Sequence, residues 1–559
     1  MKGKIGFVIA VALAFLMVTA GAALAANQQK VADAIHGGQQ WLVNAQAPDG
    51  GWTDNNWGVR NTATAFALAA LLETNGVPYT STVITNGIAF LMAHATDLGG
   101  GVWRLGDGDG HQNYSHNACL LALALYAAQA GSVSPTLTAM IEGAKQFTLS
   151  YQTTNPANNY YGSWGYDTGD KNYSGDNSNT QFAVMGLWYA DRFLQNNPAN
   201  EDWATYNYAW LQHTFASQGN DPLGNPMGMF QYYPGYTWDA AMTGSGLWQI
   251  AMIGKADDDM AKAVANWFGY TPNYNWAITP PSNSTCNYYY FIYAMAKALT
   301  ATVGAQNLLG PEQRPWTTDL VNEMVDNKAI WDPAPVNPGE YTPVHWQGQY
   351  CLDGGNTLAT AWVLMAIAFV DPNIEKKEAF LPDPPVVDFP IRGLITLSTT
   401  GNVTIQRAQR RRLGPERFAQ NVTLPVGATE FTLNNVTVGG CTVLNILLPP
   451  EAMNPANLNS FVNADGTLKA GINWFKIRNG EWKGQGNIPI IVDKVAGVIK
   501  VTLCDGGPGD EDGVANGKIV DPGAPGFGAA APAPAPGPTD QAASKSDSPF
   551  GCFIDTLLH

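Results

Sequence analysis

Residues 46–52, "QAPDGGW", and the run "NTATAFALAALL" that begins at Asn61 decide how this chain folds. The first stretch is a glycine-bearing reversal closed by Trp52. The second has helical length and is apolar nearly all round, so it needs cover on both sides rather than on one face. A single helical hairpin cannot supply that cover. The pattern recurs, however. Comparable apolar runs read "HNACLLALALY" from His116, "NTQFAVMGLWY" from Asn179 and "AAMTGSGLWQI" from Ala240, then "NYYYFIYAMAKAL" from Asn287 and "NTLATAWVLMAI" from Asn356. The loops before them carry "DGGW", "GGGVW", "YGSWGYD", "GMFQYY", "NYNW" and "AIWDP". Asn61, Asn117, Asn179 and Asn356 are read in one register, at intervals of 56, 62 and 177 residues, the last being three repeats of 59. Asn is a favoured N-cap, so capping is the first reading of these positions.

Six two-helix units over residues 26–375 predict a helical array, with amphipathic first helices such as "HGGQQWLVNAQ" outside and apolar second helices inside. An open solenoid needs polar capping repeats at its ends. Neither the first nor the last copy looks like one, so closure into a ring is expected. The combination of Gln, Asp-Gly-Gly, an aromatic and an apolar helix resembles the prenyltransferase and squalene-cyclase repeat. That resemblance implies an α6/α6 toroid of six helical hairpins, with a central cavity entered near the N-termini of the inner helices. It does not fix function, because barrels of this kind host cyclases, prenyltransferases, lyases and binding proteins.

The chemistry-bearing patterns of such proteins are largely missing. The nearest approach to the DxDD acid motif of the resembling cyclases is "KADDDM", 255–260, with Lys255 in the first acidic place. It reads as an acidic turn between repeats. No D-x-C, Cys-Gly-Glu-Gln, HExxH or CxxC occurs. Catalytic candidates at the expected cavity mouth are His116, Asp176, Asp239 and Asp353. His116 reads first as a buried structural histidine and only second as a base, and the two carboxylates Asp176 and Asp239 would suit glycoside hydrolysis if they faced each other. Trp164, Tyr232, Trp238, Tyr288 and Tyr350 are the candidate ligand-stacking aromatics. The leading expectation is a glycan or apolar ligand bound in the toroid. A polysaccharide lyase or glycoside hydrolase is the alternative, and a terpenoid cyclase-like enzyme comes third.

The rest of the chain sets the context. Lys2 and Lys4 precede "IGFVIAVALAFLMV", and "ALA" at 23–25 offers a cleavage site, which predicts a signal peptide over 1–25 and export to the cell surface. No further run of membrane-spanning length follows. Charged residues are only 13% of the chain and the net charge is −16, which argues against nucleic acid as a partner. The "RAQRRR" run, 407–412, reads as a solvated loop. A Pro-rich linker is expected over 376–388, then a β-sandwich over 389–523 made of alternating β-branched segments. Cys441 and Cys504 share that module and would pair there, and Cys286 and Cys351 would pair if neighbouring repeats met. The acidic end, "DGGPGDEDGVANGKIVDPG" (505–523), offers Asp505, Asp510, Asp512, Asn516 and Asp521 as calcium ligands. It resembles the ending of bacterial choice-of-anchor domains. That resemblance implies that 524–559 is a disordered Pro/Ala-rich spacer with a sorting tail around Cys552, engaged by cell-envelope sorting machinery.

Overall fold

The computed structural model describes residues 29–527 apart from 55–58, 76, 108, 110, 132, 167–174, 195, 197, 199–200, 237–238, 272, 281–286, 305–307, 334–340, 349–354, 371–377, 382–394, 412–416, 419–422, 449–471, 479–480, 486–487 and 494–496. The signal peptide, Cys286, Cys351, Trp238, Tyr350, Asp353 and the C-terminal tail with Cys552 lie outside the described residues. So does most of the expected linker.

Helices alternate between an outer and an inner set. The outer helices are α1 (29–45), α3 (Thr82–Ala93), α5 (Pro135–Ser150), α7 (Asp202–Thr214), α9 (Asp259–Gly269) and α11 (Trp316–Asn322). The inner ones are α2 (Arg60–Glu73), α4 (Gln112–Ala130), α6 (Asn177–Phe193), α8 (Ala240–Met252), α10 (Tyr288–Thr302) and α12 (Asn356–Val370). Each inner helix packs on the next, and α12 returns to pack on α2, closing the ring. Residues 61–73 of α2 and every residue of α8 are buried. Only closure supplies cover on both sides of helices this apolar.

The loop motif works by a repeated set of hydrogen bonds. Gln46, at the end of α1, donates to the carbonyls of Gly50 and Val83. Gln152, after α5, donates to those of Gly162 and Trp203. Each Gln thereby ties its own loop to the start of the following outer helix. Gly50 and Gly162 have φ of +91° and +89°, and a Cβ on either would meet a backbone carbonyl, of Asn86 or Tyr206. Glycine is therefore required at both by conformation and by contact. Two residues on, Trp52 and Trp164 are fully buried. Their indole N–H groups donate to outer-helix carbonyls, of Leu42 and Thr148, and Trp346 donates likewise to Met324 O. Their backbone N–H groups donate to threonine hydroxyls of the inner helix, Thr64, Thr180 and Thr360.

That bond fixes the true register and corrects the one read from asparagines. Thr64, Thr180 and Thr360 are equivalent, and the second repeat has His116 in their place, whose Nδ1 accepts from Leu105 N. The counterparts of Asn61 are then Asn113, Asn177 and Thr357, not Asn117, Asn179 and Asn356. The asparagines do not cap their own helices either. The N-caps of α6 and α8 are Asp176 and Asp239, whose side chains accept from Asn179 N and Met242 N. Inner helices are also capped from the following repeat. Asp109 accepts from Asn61 N and Thr62 N at the start of α2. Tyr232 O and Pro280 O receive Asn177 N and Ala240 N. Asp54 of the first repeat takes Gly355 N and Leu358 N at the start of α12, so the same relay seals the ring.

Short antiparallel pairs decorate the loops: β1 (Thr96–Asp97) with β2 (Trp103–Arg104), β3 (Phe215–Asn220) with β4 (Pro226–Phe230), and β5 (Ile330–Trp331) with β6 (Val344–His345). The C-terminal module has two larger sheets. One is five-stranded, in the order β15-β16-β12-β8-β7: Ile490–Asp493, Val498–Cys504, Cys441–Leu447, Ile395–Ser398 and Glu378–Leu381. The other is six-stranded, β10-β14-β13-β17-β11-β9: Arg417–Phe418, Glu481–Gln485, Ile472–Arg478, Ile519–Phe527, Ala428–Asn434 and Thr404–Arg411. Leu397, Leu444 and Ile499 of the first share one apolar core with Ile405, Phe431 and Trp474 of the second.

Three boundaries differ from expectation. Glu378–Leu381 falls in the expected linker yet pairs with β8. The arginine run continues strand β9 rather than forming a loop, because Arg407–Arg411 pairs with β11 and the Arg410 guanidinium is buried against Val426 O. The end of the acidic motif is strand β17, which extends to Phe527 in the interior of its sheet. The disulfide Cys441–Cys504 forms as expected, joining residues opposite each other on β12 and β16.

Candidate functional site

Side chains from helices that are not neighbours in the ring meet across its axis. Phe66 of α2 makes edge-on contacts with Phe182 of α6 at 5.7 Å and Tyr293 of α10 at 5.9 Å, besides Trp362 of α12. Tyr290 of α10 donates to Gln181 of α6. Deeper, toward the C-terminal ends, Lys297 of α10 pairs with Glu73 of α2 at 2.6 Å, and Tyr189 of α6 donates to the same carboxylate. At these levels the aromatic surface is turned against itself. These rings are part of the buried core.

Above this layer, at the N-terminal ends of α4, α6 and α8, lies a hydroxyl-bearing rim. Tyr232 and Tyr166 share a hydrogen bond of 2.7 Å between their hydroxyls. Tyr114 reaches Tyr166 at 3.5 Å and Ser178 at 2.6 Å, and Ser178 donates to Asp176 at 2.9 Å. The exposed ring of His111 leans on Tyr166 at 5.2 Å. Outward from Tyr232, Tyr233 and Tyr236 stack at 4.4 Å, and Tyr236 is 48% exposed. The rim therefore runs from a buried carboxylate, through four hydroxyl groups, to an open aromatic face.

Burial raises the pKa of the Asp176 carboxyl, against the opposing pull of hydrogen bonds from Asn179, Ser178 and Tyr232. Burial likewise raises Asp239, opposed by the backbone N–H groups of Met242 and Ala241. Burial, with the Asp176 charge behind it, pushes the Tyr114 and Tyr232 phenols well up, so both remain hydroxyls. These two tyrosines are hydrogen-bonding groups and not bases.

The other candidates stand elsewhere. His116 is fully buried between α4 and α5, with Leu105 N on Nδ1 and its Nε2 facing Ala144 O at 3.1 Å. Burial lowers its pKa to about 4. Both nitrogens serve the fold, which places it away from the axis as a structural histidine. Trp164 is the buried plug of its loop. Tyr288 is buried with its hydroxyl on Trp276 O. Trp164 touches the rim through its backbone, its carbonyl accepting from Asp176 N. Asp49 is a turn residue, accepting from Gly51 N and pairing with Arg60. Sequence reasoning missed the pairing of Tyr166 with Tyr232 and the place of Ser178. Their signal was the tyrosine density of "YGSWGYD" and "QYYPGY", which identifies no partner.

The acids offered for calcium staple their own loop. Asp505 accepts from Gly439 N, Asn516 N and Gly517 N, and Asp510 from Gly506 N and Val520 N. Asp512 holds Val514 N and the Asn516 amide. Asp521 faces Trp474 Nε1 and Lys476, and burial raises its pKa to about 7 against the pull of that lysine. Among the described residues no group of three or more such side chains is placed to hold a metal ion.

No protein-family model matches the chain, and no curated protein matches it. Among solved structures it is similar to a variant of the type II terpene cyclase MstE from Scytonema in complex with merosterolic acid A. The identity is 15% and the TM-score 0.37, over 62% of this chain and 98% of that one. It is also similar to Candida albicans protein geranylgeranyltransferase-I complexed with GGPP, at 10% identity and a TM-score of 0.33, over 55% of this chain and 83% of that one. Among the described residues no helix is long and apolar enough to cross a membrane.

Proposed function

We propose that this is an exported cell-surface protein, an α6/α6 toroid joined to a β-sandwich and a sorting tail, that binds a glycan at the rim of the toroid without transforming it. The observation carrying this reading is the run of hydroxyls from Ser178 through Tyr114 and Tyr166 to Tyr232, ending at the Tyr233–Tyr236 stack. Sugars are recognised by hydroxyl networks beside aromatic faces, where C–H surfaces pack and O–H groups exchange hydrogen bonds. A purely apolar ligand would leave those hydroxyls desolvated, so the glycan is the better fit.

One observation favours an enzyme. Asp176 is buried with a raised pKa beside a tyrosine hydroxyl, which suits a general acid in glycoside hydrolysis. Against it, the carboxylate already receives Asn179 N, Asn179 Nδ2 and Ser178 Oγ, as an N-cap does. A cyclase would need an apolar chamber at the level where Phe66, Phe182 and Tyr293 touch. Titration calorimetry with soluble oligosaccharides separates the readings. The binding role expects saturable heat that falls at least about tenfold in affinity in Tyr236→Ala, with the oligosaccharide recovered intact. Recovery of cleaved sugar, abolished in Asp176→Asn, establishes the hydrolase instead.

A further inference from the structure

The six-stranded sheet of the C-terminal module carries a buried lysine and a buried aspartate on its two central strands, β13 and β17. These strands are antiparallel neighbours, with Lys476 opposite Gly523. Asp521 stands two residues before Gly523, hence on the same face, and is itself opposite Phe431 of β11. Trp474, two residues before Lys476, and Phe431 both belong to the apolar core shared by the two sheets. Lys476 and Asp521 therefore point into that core, and each side chain is 0% exposed. Gly523 leaves room for them to meet. A Cβ there would collide with the Trp474 indole and the Asp521 carboxylate.

The contacts around this pair are unequal. Lys476 Nζ lies 3.5 Å from Asp521 Oδ1 and 3.2 Å from Glu511 Oε2, and donates to Gly509 O at 3.2 Å. Trp474 Nε1 donates to the other oxygen of Asp521, Oδ2, at 2.9 Å. Oδ1 is buried and makes no hydrogen bond of normal geometry among the described residues. A buried ion pair offsets its desolvation only when its remaining lone pairs are satisfied. This one leaves an oxygen unsatisfied and turned toward the amine, which calls for an explanation. Glu511 is 38% exposed and joins the pair to solvent. Burial raises the Asp521 carboxyl to about 7, so its acid form, the one that yields water to an attacking amine, is accessible near neutral pH.

We infer that Lys476 and Asp521 join in an intramolecular amide, formed by the folded chain itself. Glu511 takes a proton from the Lys476 ammonium, and the freed amine attacks Cγ of the Asp521 acid. Trp474 Nε1–H holds Oδ2 while charge develops there. The nitrogen lone pair forms the C–N bond, and the Cγ–Oδ1 bond breaks with its electron pair on oxygen. Glu511 returns its proton to that oxygen, which leaves as water, and then passes the remaining nitrogen proton to solvent. An ammonium and a carboxylic acid thus become an amide, one water and one proton, with no other reactant. Two groups held in contact react with effective molarities that reach about 10⁵ M or more, and the amide removes two charges from a core where they are costly. The bond ties β17 to β13 across the middle of one sheet, as Cys441–Cys504 ties β12 to β16 in the other. It stands independently of the rim's function.

Mass spectrometry of the full chain, folded, then denatured, reduced and digested with trypsin, tests this. Expected is a branched peptide pair joining Lys476 to Asp521, lighter by one water than its two parts and uncut after Lys476. Lys476→Arg and, separately, Asp521→Ala should each lose it. Sampled over time after cell-free synthesis, Glu511→Gln should acquire it at least about a hundredfold more slowly, with formation of Cys441–Cys504 reporting that the module has folded. Separate, unmodified Lys476 and Asp521 peptides from the folded unsubstituted chain overturn the assignment. So does an unchanged rate in folded Glu511→Gln.

Discussion

Trp164 shows how a single side chain secures a repeat. It fills the joint between α5 and α6, its indole satisfies the Thr148 carbonyl, and its backbone N–H is taken by Thr180. Trp164→Ala removes a fully buried indole and should cost about 3–5 kcal/mol, read as a lower midpoint in urea unfolding. His116 makes the complementary case in charge. Its folded pKa of about 4 lies below the ordinary value of about 6.5, so the unfolded chain takes up a proton that the folded chain refuses. Stability from this group is therefore complete above pH ~6.5 and is lost as pH falls toward ~4, by about 3 kcal/mol at most. His116→Gln should flatten the stability profile across that window, and an unchanged profile would contradict the assignment. The sequence presents His116 as either a base or a core residue. What decides between them is that it takes the place of Thr64, Thr180 and Thr360, and a histidine in a threonine position leaves no visible pattern.

Elements are joined by caps that cross repeat boundaries. Asp54 is 301 residues from Gly355, yet its carboxylate receives that backbone N–H and the one on Leu358. Asp54→Ala should cost about 1–2 kcal/mol, with hydrogen exchange accelerating first in α2 and α12, the two helices at the seam. The apolar helices and the glycine-tryptophan loops were legible because their signals are local. The caps were not: an asparagine at a helix start reads as the cap until the next repeat's Asp109 or Tyr232 is brought beside it. Strand β7 was hidden for a similar reason, since a proline-marked stretch conceals the four residues that pair with β8. In the C-terminal sheet module, reducing Cys441–Cys504 should lower stability by about 2–4 kcal/mol, measured as a fall in Tm that Cys119→Ala does not reproduce.

At the level of the whole molecule, the ring is held both around its circumference and across its axis. Glu73 and Lys297, from α2 and α10, form a buried pair joined by Tyr189 from α6. Lys297→Met alone strands a carboxylate in the interior and should cost about 3–5 kcal/mol, whereas Lys297→Met with Glu73→Leu should recover most of it. Closure was readable from the absence of capping repeats. The contacts across the axis were not, because apolar helices with tyrosines at intervals suit either a lined cavity or a packed one, and the contacts of Phe66 with Phe182 and Tyr293 show packing at that level. The same packing moves the candidate site from the axis to the rim, where Tyr114, Tyr166 and Tyr232 keep their hydroxyls together. The direct test of that account is a glycan array probed with the full-length protein, followed by product analysis of every sugar retained. The account predicts retention of at least one glycan class, lost in Tyr232→Ala and Tyr236→Ala, with each bound glycan recovered intact. No retention of any glycan, or release of a cleaved or eliminated product, would contradict it.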